Sequence, residues 1–547
     1  MSKIPNPKPQ IPNLTFWLAG ALLLGLLYLA VSAWGFGFSG FPLDDAWIHQ
    51  TYARNLARSG QLAFVPGVPS AGSTAPLWSF LLSLGYVLGI PFKIWTYGLG
   101  LILLGLTGWT MTRLGARLFP EQTRIGFWAG LFCLFEWHLI WAAVSGMETI
   151  LFVWLSVLLV ERYLAGKRMA NSYHQSIRPF ADFGLGILGG LLILTRPEGL
   201  GLVGLIGLDM AYQWWRQREE KKQELMGTHR NSEKSQVPSS SCQFLLFQRW
   251  FWLAAGVVLL LAPYVAFHLW NTGLPFPNTF YAKQAEYRVI LNNFPLWWRL
   301  FGSFDEPVET VQGVFRVIFI GAQLLLLPGL CVAAWITFKE RRTDLAFIWL
   351  WWIGFLLLYG LRLPVTYQHG RYQIPAIPWI ILLGVWGTAR LLEKVPRRQV
   401  VLRALSRAWV LSLLLLVLAF TVIGAQAYGR DVRFIESEMV VTAKWLDAHT
   451  APAALIAAHD IGAIGYFTQR PLIDLAGLIT PEVIPIIRDE AALFDFIATR
   501  PADYLVTFPS WYPDLARNSK LTELYSTHAP WAPEAGGDNM TVYQINR

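Results

Sequence analysis

Apolar runs of bilayer-spanning length recur along this chain, centred near residues 24, 104, 134, 156, 188, 206, 260, 325, 353, 383 and 416. A helix needs about 20 such residues to cross the hydrocarbon core, and in lipid only helices or closed barrels satisfy their own backbone. The pattern therefore predicts an α-helical polytopic membrane protein with about eleven transmembrane helices. With 54% apolar and 14% charged residues and a mean hydropathy of +0.41, the chain is far from the balance of a water-soluble globular protein. Many of its 27 Trp, 19 Tyr and 34 Phe are expected in interfacial belts.

One apolar stretch, residues 76–91, is only 16 residues long and opens on Pro76-Leu77-Trp78. Lys and Arg accumulate in cytoplasmic loops. If this stretch does not cross, the inner loops and the N-terminus hold 24 basic residues and the outer loops 9. Crossing would invert every later loop. The stretch is therefore predicted to be re-entrant or juxtamembrane, with a cytoplasmic N-terminus and an extracytoplasmic C-terminus. Lys3 and Lys8 precede the first run, residues 14–34, whose length predicts an uncleaved anchor despite the small-residue site at Val31-Ser32-Ala33.

The net charge of +9 is spread over short loops, which suits anionic lipid and gives no nucleic-acid surface. The three cysteines have no CxxC or His spacing, so neither a disulfide nor a zinc site is expected. Residues 1–427 form the membrane module, with an outer loop at 35–92, a cytoplasmic linker at 215–249 of disordered-type composition, and a second outer loop at 271–312. From about Tyr428 the composition becomes that of a small soluble α/β domain, 428–547. Strands are predicted at 453–460, 471–474, 503–508 and 540–545, and helices at 436–449 and 490–499.

On this topology the motif-bearing loops share the outer face. Asp44 and Asp45 stand just past the first span, where a carboxylate serves as a general base or metal ligand, or simply as a helix cap. Neighbours on a helix do not share a face, so the pair is able to divide these duties. His49 lies one turn after Asp45, and Tyr52 continues the helix. Glu148 opens a span, where it serves the helix dipole or the site. Arg196 and Glu198 are close enough to pair with each other, while a free Arg196 fork suits a phosphate. Lys283, His369 and Arg371 are further outward groups, fit for a site or for lipid headgroups. No Walker loop, HExxH or strand-linked GxGxxG occurs.

The segments LDDAWIHQTYARNLARSG, GSTAPLW, SGMETILF, LTRPEG, LPFPNTFYAK, HGRYQIPAIP and HDIGAIGYFTQRPLIDLAGL, in this order, resemble bacterial polytopic glycosyltransferases of the C superfamily (GT-C). The likeness is nearest to the terminal arabinofuranosyltransferase group and its mannosyltransferase-like relatives. It implies a GT-C-like membrane fold that passes a sugar, with inversion, from a polyprenyl-phosphate donor to a hydroxyl of a glycan, lipid or protein acceptor outside the plasma membrane. A first-loop carboxylate, here Asp44 or Asp45, is then the base, and Arg196, Lys283 or Arg371 meets the phosphate. No cofactor is required by the resemblance; a divalent cation, Mg or Mn, held by Asp44 and Asp45 is compatible with it. A lipid or solute transporter and a non-catalytic relative, such as those tied to flagellar motor control, are the competing readings.

Overall fold

The computed structural model describes residues 12–172, 179–228, 239–302, 311–396, 398–534 and 536–546. Helix α1 (Leu14–Ala30) starts where the Asn13 side chain accepts the Phe16 amide at 3.3 Å, and it runs into a wide turn ending at Gly35. Helix α2 (Asp44–Ser59) carries two acids in its first turn and stops at Gly60, whose φ of +69° suits a residue without Cβ. A short hairpin, β1 (Ala63–Val65) with β2 (Val68–Pro69), then leads to α3 (Pro76–Val87), which packs on α2. This is the stretch predicted not to cross, and it is a 12-residue helix.

Helix α4 (Phe92–Leu118) is followed by α5 (Arg124–Phe135) and α6 (Trp137–Val144), which are bent by 55° at Glu136. Glu136 takes extended backbone and accepts the Leu139 amide at 3.0 Å, so one helix ends and another begins within a single apolar run. Then come α7 (Thr149–Ser172), α8 (Pro179–Thr195), α9 (Gly199–Thr228) and α10 (Ser239–Thr272). The linker expected at 215–249 is thus largely helical; only residues 229–238 of it lie outside the described residues. Strong helix formers such as Glu, Lys and Gln continue α9 past its apolar part. Helix α11 (Asn278–Glu286) sits in the second outer loop, and α12 (Leu327–Lys339), α13 (Thr343–Arg362), α14 (Ile377–Glu393) and α15 (Val400–Ile435) complete the bundle. All eleven predicted centres fall inside helical segments. Among the described residues, eight helices are long and apolar enough to span, or nine with the bent α5–α6 pair counted as one.

The boundary expected near Tyr428 falls inside α15, which passes through a wide turn into α16 (Val441–His449) without a break. Beyond it lie β3 (Ile456–Ala458), α17 (Gly462–Thr468), β4 (Leu472–Asp474), α18 (Glu490–Thr499), β5 (Tyr504–Thr507), β6 (Leu521–Ser526) and β7 (Thr541–Ile545). The sheet order is β4-β3-β5-β7-β6, with β4, β3 and β5 parallel and β7 antiparallel to both β5 and β6. Strand alternation sends Ile456, Ala458, Val506 and Val542 into the core shared with the bundle. Ala457, Ile473, Leu505 and Tyr543 face a separate core under α18. Glu438, fully buried, accepts the Met540 amide at 2.8 Å and Asn539 Nδ2 at 3.0 Å, tying the long helix to the β6–β7 connection.

Candidate active site

The two adjacent aspartates point to different places. Asp44 Oδ2 accepts the Gly462 amide at 2.7 Å and Oδ1 the Ala463 amide at 2.8 Å, so its carboxylate caps the first turn of α17. A Cβ on Gly462 would stand 2.1 Å from the Asp44 carbonyl oxygen, and this close approach requires glycine. Asp44 is buried; burial and the neighbouring Asp460 carboxylate push its carboxyl up to about 8 against the pull of the two amides. The rest of α2 docks on the same element. Trp47 lies 4.9 Å from the rings of both Tyr466 and Phe467, and Arg54 donates to the Tyr466 carbonyl at 2.5 Å.

Asp45 turns the other way. Its side chain is 34% exposed, and Oδ2 lies 2.5 Å from Nη1 of Arg371, itself buried. Burial raises this carboxyl, but Arg371, Lys283 and His49 outweigh it and hold it down to about 2. Arg371 follows a backbone knot in which Gln368, His369 and Gly370 have φ of +54°, +60° and +65°. Left-handed backbone at two non-glycine residues is costly, and here it sends consecutive side chains to opposite sides. His369 goes to Asp431 at 2.8 Å, between Trp137 and Trp141, and Arg371 goes to Asp45.

Tyr372 is the hub. Its hydroxyl accepts from Arg371 Nη2 at 2.9 Å and from Lys283 Nζ. Lys283 and Arg371 each lie 4.8 Å from the ring centroid, and Arg196 lies 5.1 Å from it, so three cations surround one aromatic ring. Tyr359 stacks on Tyr372 at 5.8 Å, receives Arg196 Nη2 at 3.1 Å and donates to Glu198. Arg196 Nε is 3.7 Å from Glu148 and 3.8 Å from Glu198, and His49 Nε2 is 3.2 Å from Glu148. His49 and Arg196 hold the Glu148 carboxyl down to about 2 against burial. Lys283 is positioned by its helix start: the Asn278 amide donates to the Ala71 carbonyl at 2.9 Å, and Thr279 Oγ1 to the Gly72 carbonyl at 2.6 Å.

Asp45, His49, Glu148, Arg196, Glu198, Lys283 and Arg371, chosen from distant loops, thus form one connected cluster. Tyr52 and His369 are not part of it. Tyr52 lies on the face of α2 that meets the hairpin loop, its hydroxyl 2.7 Å from Ser70 Oγ, beside a mostly apolar cavity of about 600 Å³ lined by residues including Ser70, Asn278 and Leu472. His369 is turned away by the backbone knot. Sequence reasoning missed Tyr372 and Tyr359. Tyr372 stood beside Arg371 in HGRY, whereas Tyr359 lies within an apolar run and gave no signal.

The expectation that Asp44 and Asp45 share a divalent cation does not fit this geometry. Both Asp44 oxygens are taken by amides of α17, while Asp45 faces a guanidinium, so the two carboxylates do not converge on one point. Among the described residues no group of three or more His, Cys, Asp or Glu is placed to hold a metal ion.

A family described as a domain of unknown function (DUF8728) matches residues 424–543. No curated protein matches the chain in sequence. Among solved structures, the chain is similar to ArnT from Cupriavidus metallidurans bound to undecaprenyl phosphate, at 15% identity, over 97% of each chain, with a TM-score of 0.52. It is also similar to the archaeal oligosaccharyltransferase AglB from Archaeoglobus fulgidus in complex with an inhibitory peptide and a dolichol-phosphate, at 12% identity, over 90% of this chain and 69% of that one, with a TM-score of 0.56. A further structure of the Archaeoglobus fulgidus oligosaccharyltransferase, in complex with Zn and sulfate, matches at 13% identity over 90% of this chain and 68% of that one, with a TM-score of 0.51. At these identities the likeness speaks to the fold, which is the multi-pass GT-C-like architecture with a small C-terminal α/β region.

Proposed function

We propose that this protein is an integral-membrane glycosyltransferase that moves a sugar from a polyprenyl-phosphate donor to an acceptor hydroxyl, with Asp45 as the base. The observation that carries the reading is the contrast within the aspartate pair: Asp44 is consumed by the α17 amides, while the partly exposed Asp45 stands at the edge of a three-cation cluster. A phosphate leaving group needs positive charge and an attacking hydroxyl needs a proton acceptor; the cluster supplies both within one constellation. Lys283 and Arg371 are assigned to the phosphate, with Arg196 behind them. The acceptor hydroxyl passes its proton to Asp45 as its oxygen bonds to the anomeric carbon. The bond from that carbon to the phosphate oxygen breaks, its electron pair leaves on the phosphate, and the configuration inverts.

The fold supports this reading, because two of its structural neighbours are described with undecaprenyl phosphate and dolichol-phosphate. The distribution of Lys and Arg supports a reaction outside the plasma membrane, with the C-terminal region on that side. No step is assigned to a metal ion, and EDTA is expected to leave turnover unchanged; loss of turnover would return a cation to the site.

The test is transfer of radiolabelled sugar from a panel of polyprenyl-phosphate donors by the purified protein in nanodiscs. Wild type should consume one of the donors and Asp45→Asn should not, while Asp44→Asn keeps whatever activity its folded fraction allows. A wild type inert towards every donor, or full activity in Asp45→Asn, ends the reading and brings forward the transporter and non-catalytic alternatives.

A further inference from the structure

We propose that Arg371 is a removable shield on Asp45: the donor's phosphate takes the guanidinium over on binding, and only then is the carboxylate released to act as base. The inference rests on the glycosyl-transfer reading above and adds an order of events to it.

The geometry of the pair points this way. A carboxylate in direct contact with a guanidinium is a poor proton acceptor, since its charge is already neutralised. Asp45 therefore sits in the right place in the wrong electrostatic state. The two partners are unequally held: Asp45 is 34% exposed on its side chain, Arg371 only 6%, so the contact is reached from the carboxylate side. Of the five N–H donors of Arg371, Nη2 goes to the Tyr372 hydroxyl, and buried Nε has no hydrogen-bond partner. A planar fork with donors to spare next to a single carboxylate oxygen is under-used, and a phosphate with two terminal oxygens matches it better. Lys283 adds to the bias. Its partner is the same Tyr372 hydroxyl, and no carboxylate of the described residues lies within ion-pair distance of it. An anion entering beside Tyr372 thus meets two cations that share one hydroxyl acceptor.

The cycle balances. Phosphate entry moves Arg371 off Asp45, and Asp45 takes the hydroxyl proton during transfer. Departure of the polyprenyl phosphate returns Arg371 to Asp45 and expels that proton to solvent. The base is then active only while donor is bound.

The test is binding of a short polyprenyl phosphate to the full-length protein in nanodiscs, as a double-mutant cycle on Asp45 and Arg371. Removing the competing carboxylate in Asp45→Asn should tighten binding by about tenfold or more, because Arg371 no longer has to be won from Asp45. In an Arg371→Gln background the same Asp45→Asn change should alter affinity by less than about twofold. Equal or weaker binding by Asp45→Asn overturns the shield. So does equal tightening in both backgrounds, which would be simple charge repulsion. A wild type that binds no polyprenyl phosphate removes the glycosyl-transfer reading itself, and the shield with it.

Because Asp45→Asn leaves Arg371 without its carboxylate and some variants will not fold, a second measurement uses wild type alone. Asp45 is faced by Arg371 and Tyr372, by Lys283 from α11, and by His49 and Asp44 on its own helix. The acid limb of kcat/KM reports the free, shielded enzyme and that of kcat the donor-bound one. The kcat limb should lie at least one pH unit higher. Coincident limbs would overturn the proposal.

Discussion

Helix α7 meets arginine twice, and the two meetings differ in kind. Just before its start, Glu148 touches Arg196, which leads through Tyr372 to Arg371 and the open carboxylate of Asp45. About 20 Å further along the helix, by a rise of 1.5 Å per residue, Glu161 is fully enclosed between Arg113 at 3.0 Å, Arg117 at 3.2 Å and Arg162 at 3.4 Å. The Glu161 cluster encloses its carboxylate, lets its arginines reach the surface, and clamps α4 to α7. The Asp45 cluster surrounds one ring with three cations and leaves its carboxylate reachable. Charges saturated within the protein hold helices together; charges left reachable are available to a ligand. The largest expected effect follows at the open end: Asp45→Asn should lower kcat by about 10²- to 10⁴-fold, the range a positioned general base supplies, a larger factor than any fall in thermal stability from leaving buried Arg371 without its carboxylate accounts for. Single-turnover transfer rates against a thermal melt measure both, and a loss of fold in proportion to the loss of rate would erase the distinction.

At the closed end the effects should be reversed. Glu161→Ala takes the shared carboxylate from three arginines whose side chains are 21%, 38% and 53% exposed and can turn to water, so it costs less than the roughly 3–5 kcal/mol of breaking a fully buried pair. The expected result is a lowered thermal midpoint, while the fraction that remains folded binds polyprenyl phosphate with unchanged affinity. Altered affinity in that folded fraction would mean that the two ends of α7 are coupled and the comparison is too simple.

The same contrast explains what the sequence could tell. Spans were legible because apolar length has a local cause, and β3, β4, β5 and β7 because buried strands carry dense apolar runs. Strand β6 was missed: Leu521–Ser526 holds an exposed Glu523 and Leu524 and lies at the sheet edge, where there is little burial to leave a pattern. Helix α17 was missed because Gly462-Ala-Ile-Gly465 reads as turn or nucleotide loop rather than helix. That the aspartate pair divides its duties was legible, but the helix Asp44 caps was out of reach, since the amides that claim it lie 418 and 419 residues away. A capping role for Asp44 was foreseen, but on its own helix; it caps another.

That cap sharpens the comparison at an intermediate scale. Gly462→Ala places a methyl against the Asp44 carbonyl, where the neighbour is backbone and cannot swing aside. Overpacking of this kind costs about 1–3 kcal/mol, and it should loosen the docking of α17 on α2 without touching the Asp45 cluster. Limited proteolysis of the C-terminal region should accelerate, and donor binding should not weaken. If donor affinity falls in step with proteolysis, the C-terminal region shapes the cation cluster.

The smallest effect should come from pH at the same interface. His459, just past β3, lies 3.3 Å from Asp460 and 4.0 Å from Glu286 on α11, with Trp511 ring-packed against it at 5.0 Å. Burial lowers its imidazole, but Asp460 and Glu286 outweigh burial and raise it to about 9. A group raised in the folded state binds its proton more tightly there than in the unfolded chain. Its stabilisation is therefore complete below about pH 6.5, the ordinary value, and is lost as pH rises through about 9. Asp44, raised to about 8, runs in the same direction. Hydrogen exchange in β3 and α17, corrected for its intrinsic pH dependence, should quicken between pH 6.5 and 9.5, and His459→Gln should flatten part of that rise. The Glu161 cluster offers the control, because among the described residues no histidine is an ion-pair partner of Glu161. Equal quickening in α7 would show general alkaline loosening rather than a titrating contact between α11 and the C-terminal sheet.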